Sequence, residues 1–224
     1  MNANYLAQFF QNPAENILMD FTTLASQTEN LLDLSIVDPD LITDDTIIDA
    51  AFKDVKAGHT HYTASDGSAD FIHSVLDFYK RQYDLNFEAN QVRATVGALQ
   101  GMYLTLQVLL DEGDEVIIHE PFFSPYKTQT IEAGGTPVIM PTFEEDGFQI
   151  NIDILKKAIT PKTKALIINS PNNPTGAVFS KETFKQIADL AIEHNFYILS
   201  DEVYEAFSFD ETFTPMATFA PDHT

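Results

Sequence analysis

The chain has 224 residues, 44% of them hydrophobic, no cysteine, and a formal net charge of −22. That apolar content builds a sizeable core and argues against a disordered chain, and the missing cysteine excludes disulfide and thiolate chemistry. With Arg81 and Arg93 as its only arginines, the acidic surface argues against nucleic acid and anionic membranes as partners.

Residues 1–45 read as an appendage. Asn2–Gln11 has the composition of a short helix, and Leu31–Val37 is an extended candidate ending at Asp38-Pro39-Asp40. Asp44–Val55 shows helical spacing at Ile47, Ile48, Ala51, Phe52 and Val55. No apolar run approaches the ~20 residues of a membrane span. No cationic start or continuous apolar stretch marks a secretory leader, so a cytoplasmic protein is expected.

From about Ser68 the pattern becomes regular. Asp70–Tyr83 predicts an amphipathic helix with Phe71, Val75, Phe78 and Tyr79 on one face. A strand is expected at Val92–Val96, broken by Gly97, then a helix over Ala98–Leu110. Strand Glu115–Ile118 and helix Pro121–Glu132 follow, then strand Thr136–Met140 and a short helix over Ile152–Ile159. Ala165–Asn169 reads as a strand, Lys181–His194 as a helix capped by Ser180, and Phe196–Ser200 as the last strand. Short apolar strands alternating with helices imply right-handed crossovers and a mainly parallel sheet covered on both faces. The expected fold class is α/β, a three-layer α/β/α arrangement plus a small N-terminal appendage.

Ligands of open α/β sheets collect outside the carboxyl ends of the strands. Four unusual segments fall there: Gly97-Ala98-Leu99-Gln100, Glu120-Pro121-Phe122-Phe123, Ser170–Gly176 and Asp201–Tyr204. Gly97 opens a helix, so the amides of Ala98, Leu99 and Gln100 are placed to meet an anion with the helix dipole behind them. The plain alternative is an ordinary strand-to-helix turn, and neither a Walker loop nor a dinucleotide fingerprint is present. Phe123 is placed either to stack on a planar heterocycle or to fill the core. Asn173 carries donors and acceptors on a loop stiffened by Pro171 and Pro174, with Gly176 allowing the turn.

Asp201 directly follows an apolar strand. A carboxylate near a dry sheet core needs a cationic partner, and arginines are scarce. A protonated pyridine nitrogen would serve, and a charged ring is a strong electron sink. The alternative is a helix N-cap. Tyr204 is suited to bond a phenolic oxygen or to pack in the core. His59-x-His61 has the look of a metal pair, but no carboxylate or cysteine cluster accompanies it, so no metal site is expected.

With Asn169-Ser170-Pro171-Asn172-Asn173-Pro174-Thr175-Gly176 and Ser200-Asp201-Glu202-Val203-Tyr204, the chain resembles the class I/II aminotransferases of the fold-type I pyridoxal-phosphate (PLP) family. The resemblance runs from about Leu31 to the C-terminus. It implies that residues 1–45 form an arm and part of a small domain, and 46–224 the N-terminal part of the PLP-binding large domain, which stands here incomplete. It implies PLP as cofactor, with Asp201 on the pyridine nitrogen and Asn173 and Tyr204 on the phenolic oxygen. Asn173 would also lie near the substrate carboxylate, Phe123 would stack on the ring, and Ala98, Leu99 and Gln100 would bind the phosphate. His61-Tyr62-Thr63 resembles the segment whose tyrosine reaches the phosphate of a neighbouring subunit, which makes Tyr62 a contact in trans and the protein a homodimer.

Two departures stand out. Where the family often carries Gly-x-Pro-Asp beside the substrate carboxylate, Val37-Asp38-Pro39-Asp40 places Val37. No lysine follows Lys185, so the Schiff-base lysine of the family is expected beyond Thr224 and this chain holds no catalytic lysine of its own. The implied activity is amino transfer from an amino acid to a 2-oxo acid in amino-acid metabolism. The truncated chain is expected to bind PLP non-covalently or not at all, and to leave an unpaired sheet edge. A PLP-dependent C–S lyase or decarboxylase of the same fold, or a non-catalytic PLP-binding fragment, shares the same cradle and stays open.

Overall fold

The structure, a computed structural model, describes residues 5–7, 11, 24–32, 41–210 and 212–224. The chain divides into two compact units, Met1–Tyr62 and Thr63–Thr224. In the first, the expected helix appears as α1 (Asp45–Lys56), with Asp44 accepting the Thr46 N–H at 2.8 Å as its N-cap. The helix expected over Asn2–Gln11 and the extended segment over Leu31–Val37, Val37 included, lie largely or wholly outside the described residues.

The second unit opens with α2 (Ala69–Tyr83), capped by Ser68, whose hydroxyl accepts the Phe71 N–H at 3.2 Å. Its buried residue is Ile72, whereas Phe71 and Phe78 are exposed. Tyr79 and Tyr83 instead meet the rings of Phe87 and Phe213 edge-on.

The strand expected at Val92–Val96 is not formed. The segment runs irregularly into α3 (Gly97–Leu109), and the Ala94 N–H donates to the Asp66 carbonyl at 2.7 Å. A β-strand exists only through a neighbour that completes its ladder. Here the segment is tied to the turn before α2 by that bond and by the Arg93–Asp66 ion pair at 2.7 Å.

The remaining elements alternate: β1 (Glu115–Glu120), α4 (Pro125–Glu132), β2 (Thr136–Pro141), α5 (Ile152–Ala158), β3 (Thr163–Asn169), α6 (Lys181–His194) and β4 (Tyr197–Asp201). Helix α4 starts four residues later than Pro121, because Pro125 occupies its first turn, where a missing N–H costs nothing. Helix α6 has the bounds read from the sequence, with Ser180 accepting the Thr183 N–H at 3.1 Å and Asn195 closing it in the left-handed region at φ 55°.

The four strands are all parallel, in the order β2-β1-β3-β4. Strand alternation divides the core. Val116, Ile118, Ala165 and Ile167 pack with Leu106 of α3 and Tyr126 of α4, whereas Ile117, Leu166, Ile168 and Ile198 pack with Leu155 of α5 and Phe184 and Ile187 of α6. Helices thus cover both faces in three layers. Each fully buried Val, Leu, Ile or Phe side chain among them contributes about 1.5–3 kcal/mol to folding.

This order has a consequence for function. The chain leaves β1 toward β2 and returns past β1 to β3, so the connection reverses direction between β1 and β3. Crevices of this kind, at the carboxyl ends of the strands, are where open α/β sheets take ligands. Strand β4 is an edge, and the expected open edge is partly closed: the Ile198 N–H donates to the His223 carbonyl at 2.6 Å.

Candidate active site

Strands β3 and β4 end level with each other, because Asn169 and Asp201 are register partners. The two motif segments therefore leave the sheet side by side. From β3, the loop folds back on itself. The Asn172 N–H donates to the Ala177 carbonyl at 2.9 Å, the Gly176 N–H donates to the Asn172 carbonyl at 2.8 Å, and Gly176 takes φ +72°. Ser170 and Asn172 are buried and hold the loop in place, Asn172 also donating to the Pro121 carbonyl at 3.3 Å. The Ser170 hydroxyl accepts the Phe179 N–H at 2.9 Å, and the Asn172 amide donates to the Thr175 hydroxyl at 2.9 Å. That leaves Asn173, half-buried, as the loop's contribution to the cavity beside it.

This cavity, of about 170 Å³, is lined by Ala98, Leu99 and Met102 of α3, by Phe123 and Tyr126, by Asn169 and Asn173, and by Asp201, Val203 and Tyr204. Six residues singled out in the sequence thus share one space: Ala98, Leu99, Phe123, Asn173, Asp201 and Tyr204. Gln100 is not among them; its side-chain oxygen turns back to accept the Val96 N–H at 2.7 Å. Its main-chain amide still belongs to the first turn of α3, whose N–H groups have no partner within the helix. Tyr62 is fully exposed in the other unit, and Val37 lies outside the described residues.

Asp201 is held from two sides. Its Oδ1 accepts the Val203 N–H at 3.2 Å, closing a small turn, and its Oδ2 accepts the Tyr126 hydroxyl at 2.7 Å. Burial, and then the neighbouring Asp201 charge, push the Tyr126 hydroxyl far above the usual tyrosine range, so it remains a donor. The adjacent Glu202 is raised by burial, and its Oε1 accepts both the Ser200 hydroxyl and the Met216 N–H at 2.8 Å. Phe123 meets Tyr126 edge-on at 5.7 Å.

Sequence reasoning missed Tyr126 and the part played by Asn169. Tyr126 was absorbed into a helix begun too early; its spacing of three residues from Phe123 was the available signal. Asn169 stood inside the motif without a role.

The cavity lining holds one carboxylate and no lysine or arginine. Its chemistry suits a ligand that brings its own positive charge to Asp201, a flat face to Phe123, and an anionic end to the first turn of α3. PLP has these three features, so the residues present fit it. Among the described residues no group of three or more His, Cys, Asp or Glu side chains is placed to hold a metal ion, and no helix is long and apolar enough to cross a membrane.

Known proteins resemble this chain over most of its length. The family model described as aminotransferase class I and II matches residues 29–223. An aspartate aminotransferase of Pyrococcus horikoshii is 41% identical over 201 residues, 89% of this chain and 51% of that protein. Aromatic-amino-acid aminotransferase 2 of Thermococcus litoralis is 40% identical over 200 residues, 89% of this chain and 51% of its own length. The solved aspartate aminotransferase from Thermus thermophilus with maleate superposes with a TM-score of 0.92 at 34% identity, covering 98% of this chain and 58% of that one. The chain therefore spans about half the length of the curated relatives it matches.

Proposed function

We propose that this chain, which belongs to the class I and II aminotransferases, carries most of the PLP cradle of an enzyme that moves an amino group from an amino acid to a 2-oxo acid. The observation that carries the reading is Asp201: a carboxylate at the end of β4, fixed by Tyr126 and facing a cavity without basic side chains. When bound, PLP supplies an electron sink for the electron pair left at the substrate α-carbon.

The chain's own residues then divide the work. Asp201 keeps a proton on the pyridine nitrogen, and Tyr126 keeps Asp201 oriented. Asn173 and Tyr204 hold the phenolic oxygen, with Asn173 also beside the substrate carboxylate. Phe123 covers one face of the ring and excludes water from it. The amides of Ala98, Leu99 and Gln100 take the phosphate. The cavity lining holds no lysine, and we assign proton carriage to a lysine outside that lining.

We also assign the working protein to a cytoplasmic homodimer in which Tyr62 reaches the phosphate of the neighbouring subunit. Supporting this, α3 is apolar nearly all round yet exposes Leu104 and Val108, the composition of a helix that is covered in its working state. A monomer by light scattering at micromolar concentration would contradict the dimer.

Product analysis tests the activity. Protein carrying this chain with its downstream sequence, given PLP, an amino acid and a 2-oxo acid, is expected to yield a new amino acid and a new 2-oxo acid. Pyruvate with ammonia, and no new amino acid, would overturn the reading in favour of a C–S lyase.

A finer prediction concerns Tyr126. Tyr126→Phe removes the 2.7 Å hydrogen bond to Asp201 while keeping the ring against Phe123. A hydrogen bond to a charged group contributes about 1.5 kcal/mol or more, so PLP is expected to bind about 10-fold more weakly, by fluorescence titration. Unchanged affinity would remove Tyr126 from the site.

A further inference from the structure

Asn169 has no role in the chemistry assigned above, yet it touches both halves of the site. It is 1% exposed. Its Nδ2 donates to the Asp201 carbonyl at 3.0 Å, and its Oδ1 accepts the Asn173 N–H at 2.7 Å. Its own main-chain N–H donates to Nε2 of His119 at 3.2 Å. The amide orientation is set by these partners, since a flip would oppose donor to donor and acceptor to acceptor.

His119 is as buried as Asn169, with its ring edge-on to Phe179 at 5.3 Å. Because Nε2 accepts, the ring proton sits on Nδ1, which is buried without a partner. A polar ring placed among apolar side chains, with one nitrogen unsatisfied, is costly. The contact it makes in return is the one to Asn169.

We propose that Asn169 is a positioning residue that fixes the spacing between Asn173 and Asp201, and that His119 holds Asn169 in place by accepting its main-chain N–H. The inference rests on the reading that Asn173 and Asp201 face one cofactor. Register alone brings β3 and β4 level at Asn169 and Asp201, but it does not reach Asn173, four residues further along a loop. Asparagine is the short side chain that offers one acceptor to that loop and one donor to the neighbouring strand at the same time. Aspartate lacks the donor, leucine lacks both, and glutamine is one methylene too long for the same atoms.

The test combines amide hydrogen exchange with equilibrium titration by PLP, on the wild-type protein and on Asn169→Leu, Asn169→Asp and His119→Phe. Asn169→Leu is expected to speed exchange of the Asn173 amide at least about 10-fold and to weaken PLP binding about 10-fold, each the worth of a lost buried hydrogen bond. Exchange in α6 should stay at the wild-type rate. Asn169→Asp keeps the acceptor, so the Asn173 amide should stay protected while PLP affinity falls. His119→Phe should speed exchange of the Asn169 amide. Wild-type exchange at Asn173 in Asn169→Leu, or PLP affinity unchanged in both Asn169 variants, would overturn the proposal. Should Asn169→Leu fail to fold, the Asn169→Asp and His119→Phe outcomes decide it. A wild-type protein that binds no PLP yet shows the expected exchange would overturn the reading of the site and leave the positioning device standing.

Discussion

Replacing Asp201 by alanine is expected to weaken PLP binding by about 100-fold while leaving the fold intact. Two features set the size of the effect. The cavity lining holds no other acid and no basic side chain, so no neighbouring group takes over the pairing with a protonated ring nitrogen. Removing one partner of a buried ion pair costs about 3–5 kcal/mol. Asp201 is only half-buried, which reduces that to about 2–3 kcal/mol, or roughly 100-fold at 1.4 kcal/mol per decade. The fold should survive because β4 pairs with β3 through main-chain groups from Tyr197 to Asp201. Asp201→Asn separates charge from shape: with the amide oxygen still accepting from Tyr126, the loss in this variant reports the charge. Fluorescence titration, with circular dichroism as the check on folding, reads both. Wild-type affinity in Asp201→Ala would remove the central contact of the proposed site.

The second large effect is on stability in acid. Burial lowers His119 from the ordinary 6.5 to about 4. On acidification the unfolded chain therefore takes up a proton on this residue before the folded chain does. Stability is full above pH 6.5 and falls as the pH drops toward about 4, because the unfolded state binds more protons throughout that window. At 1.36 kcal/mol per pH unit the loss across the window is about 3 kcal/mol. Glu202 acts in the opposite sense: burial raises it, so its penalty is relieved as the pH falls toward 4.5 from above. The comparison is therefore made within a pair of proteins. Between pH 7 and pH 4.5, urea unfolding should show wild type losing about 2–3 kcal/mol more than His119→Gln, which keeps an acceptor but does not titrate. Equal losses would mean that His119 is not held neutral in the folded protein.

Much of this architecture is legible in the sequence because local physics fixes it. Ser180, Asn195 and the apolar stripe between them suffice to bound α6, and the all-apolar Ala165–Ile168 run suffices for a central strand with both faces covered. The motif loops fall after strands because Asn, Pro and Gly are needed where the chain turns. What local physics does not contain is pairing. Val92–Val96 has strand composition, but among the described residues no neighbour completes a ladder for it. The order β2-β1-β3-β4, which creates the crevice between β1 and β3, is likewise a property of the assembled sheet. The same gap hid two parts of the site. The Tyr126 hydroxyl meets Asp201 across 75 positions of sequence, and Asn169 meets His119 across 50.

The central claim is that the cavity between the ends of β1, β3 and β4 and the first turn of α3 takes a phosphorylated pyridine. The most direct measurement is equilibrium titration of the purified chain with pyridoxine 5′-phosphate, which lacks the aldehyde and so does not add to surface lysines. The account predicts saturable binding of one molecule per chain, displaced by PLP and weakened about 100-fold in Asp201→Ala. Absence of saturable binding, or binding equally tight in wild type and Asp201→Ala, would contradict it.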